Sequence, residues 1–381
     1  MTTNEIAQQE EFRAKYEEQA AKIGRFNLAI FGKTGVGKST LINAVFGDEV
    51  APTGIGEPVT MTDHFYLHRS GFLGLIDTRG LEIGVDTDTM IKELGTHIEA
   101  IRSQPQTEQI HVAWYCVRAT DRRFEDTEGE FIRRLHELGL PVILVLTQVP
   151  LTREGAIHPH SLELAEQITK KNLPIALARP ILVMSQADEH LGQPAHGLQE
   201  LVDATFQAAP DGVANALAAA QKIDMKRKRK QAEIAIASAG ALAGGAGATP
   251  MPIADAALIV PVQLGMMASV SAIYGVKFEA ASMAATVATT VATAAGRAAV
   301  VGLIKLIPGA GTVIGGAIGA TVATTFTVAI GYAWAEVCRL LTVGQLKGVD
   351  GAIDGEAVRT LFLAEFKSWF AKLRKEEVPQ D

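Results

Sequence analysis

The sequence predicts an α/β domain with a mainly parallel sheet and helices on both faces, followed by an all-α domain rich in small residues. Three observations carry this. Between residues 25 and 207, apolar runs of strand length alternate with helical patterns, which points to crossover connections and a parallel sheet. The first run, Phe26-Asn27-Leu28-Ala29-Ile30-Phe31, passes through Gly32-Lys33-Thr34-Gly35-Val36-Gly37-Lys38-Ser39 into Thr40-Leu41-Ile42-Asn43-Ala44-Val45. That is strand, glycine loop, helix. Past about residue 210, charge vanishes from long stretches and Ala, Gly and Thr dominate.

With 381 residues the chain is long enough for two domains. Hydrophobic residues make up 48% and aromatics only 6%, so the cores must rest on Ala, Val, Ile and Leu. A net charge of -7 argues against a general nucleic-acid binder, and no specific nucleic acid is expected. Cys116 and Cys338 sit far apart in apolar runs. They read as buried free thiols in a reducing compartment, with neither a disulfide framework nor a cysteine metal site. The residues after Met1 show no basic stretch followed by an apolar one, so no secretory signal is expected, and the expected location is cytoplasmic, with peripheral or conditional insertion at the inner face of the membrane left open.

Taken in order, residues 5–23 contain no breakers and place Ile6, Phe12, Tyr16, Ala20 and Ile23 near helical spacing. Strands are expected at 26–31, 63–68, 72–77, 110–117, 142–147 and 181–185. Helices are expected near 38–46, 88–103, 125–138, 162–171 and 197–206. A helix over 215–233 contains Lys226-Arg227-Lys228-Arg229-Lys230. Nearly charge-free stretches follow at 234–254, 256–276, 280–296 and 307–335, broken by Pro250-Met251-Pro252 and Pro308-Gly309. Residues 356–375 set Val358, Leu361, Phe362, Phe366, Trp369, Phe370 and Leu373 on one side of a last helix. The boundaries implied are an N-terminal helix over 1–24 that packs with the helical domain, an α/β domain over 25–210, and a helical domain over 211–381.

The glycine loop has the spacing G-x-x-x-x-G-K-[ST]. Its glycines let backbone N–H groups turn inward around phosphates, and the following helix points its positive end at the anion. Gly32, Lys33, Thr34, Gly35, Val36, Gly37, Lys38, Ser39 and Thr40 are therefore the candidate nucleotide-binding residues. Lys38 supplies a point charge to the β- and γ-phosphates and Ser39 a hydroxyl to Mg²⁺. Ligands of open parallel sheets bind at the carboxyl ends of strands, where this loop falls. Asp77-Thr78-Arg79-Gly80 ends the third expected strand. An Asp there reaches the Mg²⁺ shell, and the Gly turns its N–H to the γ-phosphate. Thr60, in a Gly/Pro-rich loop between the two motifs, offers the second hydroxyl to Mg²⁺, which favours oxygen ligands. The metal set is Ser39, Thr60 and Asp77, and the catalytic set is Lys38, Thr60, Gly80 and Arg79.

The order of glycine loop, Pro58-Val59-Thr60, Asp77-Thr78-Arg79-Gly80 and an apolar strand ending Leu146-Thr147-Gln148 resembles the Era/TrmE-like small GTPases over residues 25–207. The resemblance implies GTP and GDP as ligands, Mg²⁺ as cofactor and GTP hydrolysis as the activity. Pro250-Met251-Pro252-Ile253-Ala254-Asp255, Ile273-Tyr274-Gly275 and Lys305-Leu306-Ile307-Pro308-Gly309-Ala310-Gly311 are similar to a bacterial domain of uncharacterised function. That domain is fused to such GTPases and occurs in YcjF-type inner-membrane proteins. In architecture alone, the layout also resembles immunity-related and dynamin-like GTPases.

Two departures matter. The family reads guanine with Asn/Thr-Lys-x-Asp, and Thr147-Gln148-Val149-Pro150 stands here. Pro150 has no acceptor. A hydrogen bond to a charged group is worth roughly 1.5–3 kcal/mol, so losing two removes on the order of 10²–10⁴ of guanine preference. Thr147, Gln148, Ser185 and Gln186 are the remaining candidates for base contact. Leu81 follows Gly80 where Ras-like enzymes carry a water-orienting Gln, so slow intrinsic turnover is expected. Gly35 stands where potassium-stimulated relatives carry Asn, so that mechanism is not expected. An arginine could complete the site, and Arg79, Arg118, Arg122 and Arg123 are the candidates, the last three in a loop that could face a partner GTPase domain across a homodimer or oligomer.

In the second domain small residues recur every four: Gly311, Gly315, Gly319 and Ala323; Ala284, Ala288, Ala292 and Gly296; Ala237, Ala241 and Gly245. Such rows let helices approach closely, in membranes or in tight soluble bundles. The strongly apolar residues of 307–335 contribute roughly -2 to -5 kcal/mol to insertion, offset by Gly and Thr. Asp255 would cost about 2.5–3.5 kcal/mol at mid-membrane. A soluble bundle and a domain conditionally inserted at the inner face of a membrane both stay open. The basic run favours an anionic membrane surface contacted through residues 226–335.

The expected function is an Mg²⁺-dependent GTPase switch whose nucleotide state reaches a helical domain. The alternatives are a nucleotide-dependent scaffold or membrane-remodelling protein with little hydrolysis, and an NTPase of relaxed base choice.

Overall fold

The computed structural model describes residues 3–47, 65–68, 70–77, 91–92, 95–96, 98–100, 104–189, 192–247, 256–282, 316–348 and 352–377. The chain divides into two compact units, residues 23–224 and residues 1–22 with 225–381.

The first unit is a six-stranded sheet in the order β2-β3-β1-β4-β5-β6. Its strands are β1 (Phe26–Phe31), β2 (Phe65–Leu67), β3 (Leu73–Asp77), β4 (Val112–Arg118), β5 (Val142–Thr147) and β6 (Ile181–Leu182). All pairs are parallel except β2 with β3. Every residue of β1 and β5 is buried, as expected of parallel strands covered on both faces. The period of two sorts the side chains. Phe26, Leu28 and Ile30 of β1 enter one core, with α2 (Lys38–Phe46), α5 (Leu198–Ala208) and α6 (Ala214–Ala220). Ala29 and Phe31 enter the other, with α3 (Asp126–Glu137) and α4 (Pro159–Lys170).

Three expectations are corrected here. Strand β6 stops at Leu182 rather than 185, because Met184 turns away to bridge with His196. The helix expected over 215–233 is two helices. Gln221 takes an extended backbone, and its Oε1 accepts the N–H groups of Ile223 and Asp224 at 2.7 Å each, so the chain restarts at α7 (Met225–Gly247). The boundary lies after Asp224 rather than at 210, since Val213, Ala216 and Leu217 are buried in the sheet's core. The helix expected over 88–103 falls largely outside the described residues.

At the entry to β1, buried His111 accepts the Asn27 N–H on Nδ1 at 2.8 Å and faces the Gln106 carbonyl with Nε2 at 2.7 Å. Burial holds this imidazole below the ordinary histidine range, so the neutral ring, donating from Nε2, pins the start of the central strand.

The second unit combines α1 (Thr3–Ile23), α7, α8 (Ala256–Tyr274), α9 (Gly316–Thr342) and α10 (Gly355–Glu377). Phe12 and Tyr16 are the buried face of α1; the Tyr16 hydroxyl donates to the Val276 carbonyl at 2.8 Å and Phe12 stacks on Phe278. Val358, Phe362 and Phe366 bury the apolar side of α10, and Trp369 stacks on Tyr332 of α9 at 4.0 Å. Helices α7 and α9 approach through Gly240 and Gly331, where added Cβ atoms would lie 2.6 Å from Val328 and 2.7 Å from Ile236. The row Ala237, Ala241 and Gly245 is exposed, which corrects its expected packing role. The row 284–296 and Gly311 and Gly315 lie outside the described residues, as do residues 248–255 with Asp255. Among the described residues no helix is long and apolar enough to cross a membrane. Both cysteines are buried and free.

Candidate functional site

Sheet order reverses at β1, which has β3 on one side and β4 on the other. Such a switch point opens a crevice at the carboxyl ends of the strands. The glycine loop leaves β1 there. Gly32 has φ 131°, and a Cβ on it would stand 2.3 Å from the Cys116 carbonyl oxygen of β4. Only glycine lets the loop pass that close to its neighbour strand. Gly37 caps α2 with φ 94° and provides no side-chain cap. The first N–H groups of α2 thus have no side-chain oxygen of the cap to bond.

Lys38 folds back over the loop, its ammonium donating to the Gly32 carbonyl at 2.6 Å and the Lys33 carbonyl at 3.0 Å. Ser39 and Thr34 are exposed, Thr40 is half-buried, and Val36 turns its side chain into the core. Lys33 does not point its side chain inward. It pairs with Glu125 at 3.0 Å and Glu128 at 3.8 Å, across the N-terminus of α3. These two carboxylates form a reciprocal cap of α3. Lys33 holds the Glu125 carboxyl below its usual range, while burial pushes that of Glu128 up. Sequence reasoning missed this clamp, because Glu125 is not one of the Ser, Thr, Asp or Asn residues that announce an N-cap, and only Glu128 fits the third position of a capping box.

The end of β5 is tied to the same loop. The Thr147 hydroxyl donates to the Val36 carbonyl, and Gln148 Nε2 donates to the Gly35 carbonyl at 3.4 Å. Gln148 adopts φ 53°, a left-handed conformation that aims its side chain back at the loop. The Pro150 carbonyl accepts the His158 N–H at 3.0 Å. Gln193 holds Leu151 through the backbone N–H at 2.6 Å, and His196 Nε2 meets the Val149 carbonyl at 2.9 Å. Neither Gln193 nor His196 carried a sequence signal. Ser185 is half-buried and Gln186 exposed in the loop after β6.

Asp77 ends β3 in register with Ile30, one residue short of the end of β1. Its backbone therefore stands beside the loop. Thr60, Thr78, Arg79, Gly80 and Leu81 lie outside the described residues. Arg118 pairs with Asp121 at 2.8 Å, and Arg123 pairs with Glu125. Arg122 is exposed with φ 53°, and among the described residues no carboxylate pairs with it.

The model of the 50S ribosome-binding GTPase family matches residues 27–148. The chain contains a P-loop GTPase domain. The match runs from β1 through the glycine loop to Gln148, the residue tied to Gly35. The solved structure of a probable GTP-binding protein, engB, is 19% identical, over 48% of this chain and 97% of that one, with a TM-score of 0.33. Comparison with curated proteins gives no match.

Proposed function

We propose that the protein is an Mg²⁺-dependent GTP-binding and GTP-hydrolysing switch of the Era/TrmE-like kind, whose nucleotide state is passed to the helical unit. The observation that carries this is the position of Lys38 over a glycine loop at the sheet's switch point. The residues fit the ligands. The loop and the start of α2 offer N–H groups to phosphate oxygens, and exposed Ser39 with Asp77 and Thr60 would supply the oxygen donors that Mg²⁺ favours. Bound there, the ion neutralises charge on the β- and γ-phosphates. Thr60, Arg79 and Gly80 would sense the γ-phosphate, and its loss would release their loops. Transmission has a candidate route. Helix α2 starts at Lys38, and near its other end the Val45 carbonyl holds the Lys222 N–H at 2.8 Å, two residues before the unit boundary.

The experiment is competition of unlabelled GTP and ATP against labelled GTP, followed by phosphate release. GTP is expected to displace the label at lower concentration than ATP, with slow release. Binding without release favours the scaffold reading, and binding of neither nucleotide overturns the proposal. The base loop supports a second reading. Pro150 lacks an acceptor and Gln148 is turned toward the glycine loop, so equal displacement by ATP would make this an NTPase of relaxed base choice.

Leu81 leaves the transition state short of a polar partner. Arg122 is the arginine we assign to supply it, in trans, to a second copy. Single-turnover hydrolysis should then rise with protein concentration and fall at least about tenfold in Arg122→Ala, against about 10³–10⁵ for arginine fingers. A concentration-independent rate, unaltered in the variant, would exclude this role.

A further inference from the structure

The five-residue basic run of α7 is not one solvated face. Lys228 is fully buried, and its ammonium donates to the Ile273 and Tyr274 carbonyls at 3.3 and 3.1 Å, capping the C-terminus of α8. Arg229 bridges to Glu233 at 3.0 Å. Lys226, Arg227 and Lys230 are exposed. Further along the same helix Ile234 and Leu242 are 61% and 65% exposed, and Ala237, Ser238, Ala241 and Gly245 are exposed between and beyond them. At 100° per residue all nine fall in one arc of about 160°. The arc carries three positive charges and no carboxylate, on a chain of net charge -7. Glu233, the acidic residue of α7, lies outside it.

We propose that this outer face of α7 docks on an anionic phospholipid bilayer. The charge pattern fits an anionic partner, and two bare aliphatic side chains on the same arc need hydrocarbon. A leaflet offers both, phosphates at its surface and acyl chains below, into which interfacial helices sink roughly 5–10 Å. The small residues between Ile234 and Leu242 keep the face shallow, so it can lie flat. The mode is attachment in the plane of the surface. It requires no membrane-crossing helix and is independent of the nucleotide reading.

The test is flotation of the full chain, without nucleotide, on vesicles of phosphatidylcholine alone or mixed with phosphatidylglycerol. The unaltered protein is expected to float with the anionic vesicles only and to be released by high salt. Lys226→Ala, Arg227→Ala and Lys230→Ala together should cut partitioning about a hundredfold. Ile234→Ser with Leu242→Ser should abolish flotation. Since these side chains are exposed, both variants should keep the unfolding midpoint of the parent, which separates lost docking from lost folding. Flotation on neither or equally on both vesicles, or variants that float like the parent, would overturn the proposal. So would a lipid-free dimer that the Ile234→Ser/Leu242→Ser variant converts to monomer, because the face would then be a contact between copies.

Discussion

Lys38→Ala is expected to weaken nucleoside triphosphate binding by about 10²–10⁴. The ammonium is held by the Gly32 and Lys33 carbonyls above the loop, and in the proposed switch it would bond the β- and γ-phosphates. Charge-assisted hydrogen bonds are worth roughly 1.5–3 kcal/mol each, and two of them give that range. The loss should fall on the triphosphate more than on the nucleoside. Titration with a fluorescent GTP analogue reads it directly. Lys38→Arg should recover part of the affinity, because it keeps the charge but not the compact fit. The fold should survive, since the sheet core beneath the loop is built from Leu28, Ile30 and Trp114 rather than from Lys38. An affinity equal to that of the parent chain would mean that no triphosphate sits in this loop, and the switch reading would fall with it.

The glycine loop was legible in the sequence because its chemistry is local. Each requirement, a positive φ at Gly32 and Gly37, a lysine and a hydroxyl, is met by one residue at a fixed spacing. Strands β1 and β5 were legible for a related reason. Buried on both faces, they read as unbroken apolar runs and match the expected 26–31 and 142–147. What was hidden depends on partners distant in the chain. Lys33 reads as a loop cation, yet Glu125 and Glu128 claim its side chain. Lys228 reads as one member of a basic run, yet the carbonyls ending α8 draw it into the interior.

The same cause misplaced the domain boundary. Composition shifts near Pro210, but packing decides where a unit ends, and Val213 and Leu217 still belong to the sheet. The row Ala237, Ala241 and Gly245 misled in a complementary way. Spacing of four marks one face of a helix without saying whether anything lies against it. Among the described residues, the glycines that admit a neighbouring helix, Gly240 and Gly331, stand outside the expected rows. In the base loop the substitution of Pro150 was visible, but the turning of Gln148 toward Gly35 is set by a left-handed backbone that no local pattern announced.

Trp334→Ala should destabilise the helical unit by about 3–5 kcal/mol, the usual cost of emptying a fully buried aromatic site. Trp334 is buried at the contact of α8 and α9, where its indole N–H donates to the Met267 carbonyl at 2.9 Å and the Ser271 hydroxyl at 3.1 Å. Trp334→Phe keeps most of the volume but loses the donor, so about 1–3 kcal/mol is expected. Urea unfolding followed by circular dichroism measures both. Two units with separate cores should give two transitions, so one free energy would not describe the chain. Only the transition of the helical unit should move in these variants. Saturating GTP should raise the other, because a ligand stabilises the unit that binds it. If Trp334→Ala left both transitions in place, the helical unit would not be organised around this side chain. If it lowered both equally, the two cores would melt as one cooperative structure.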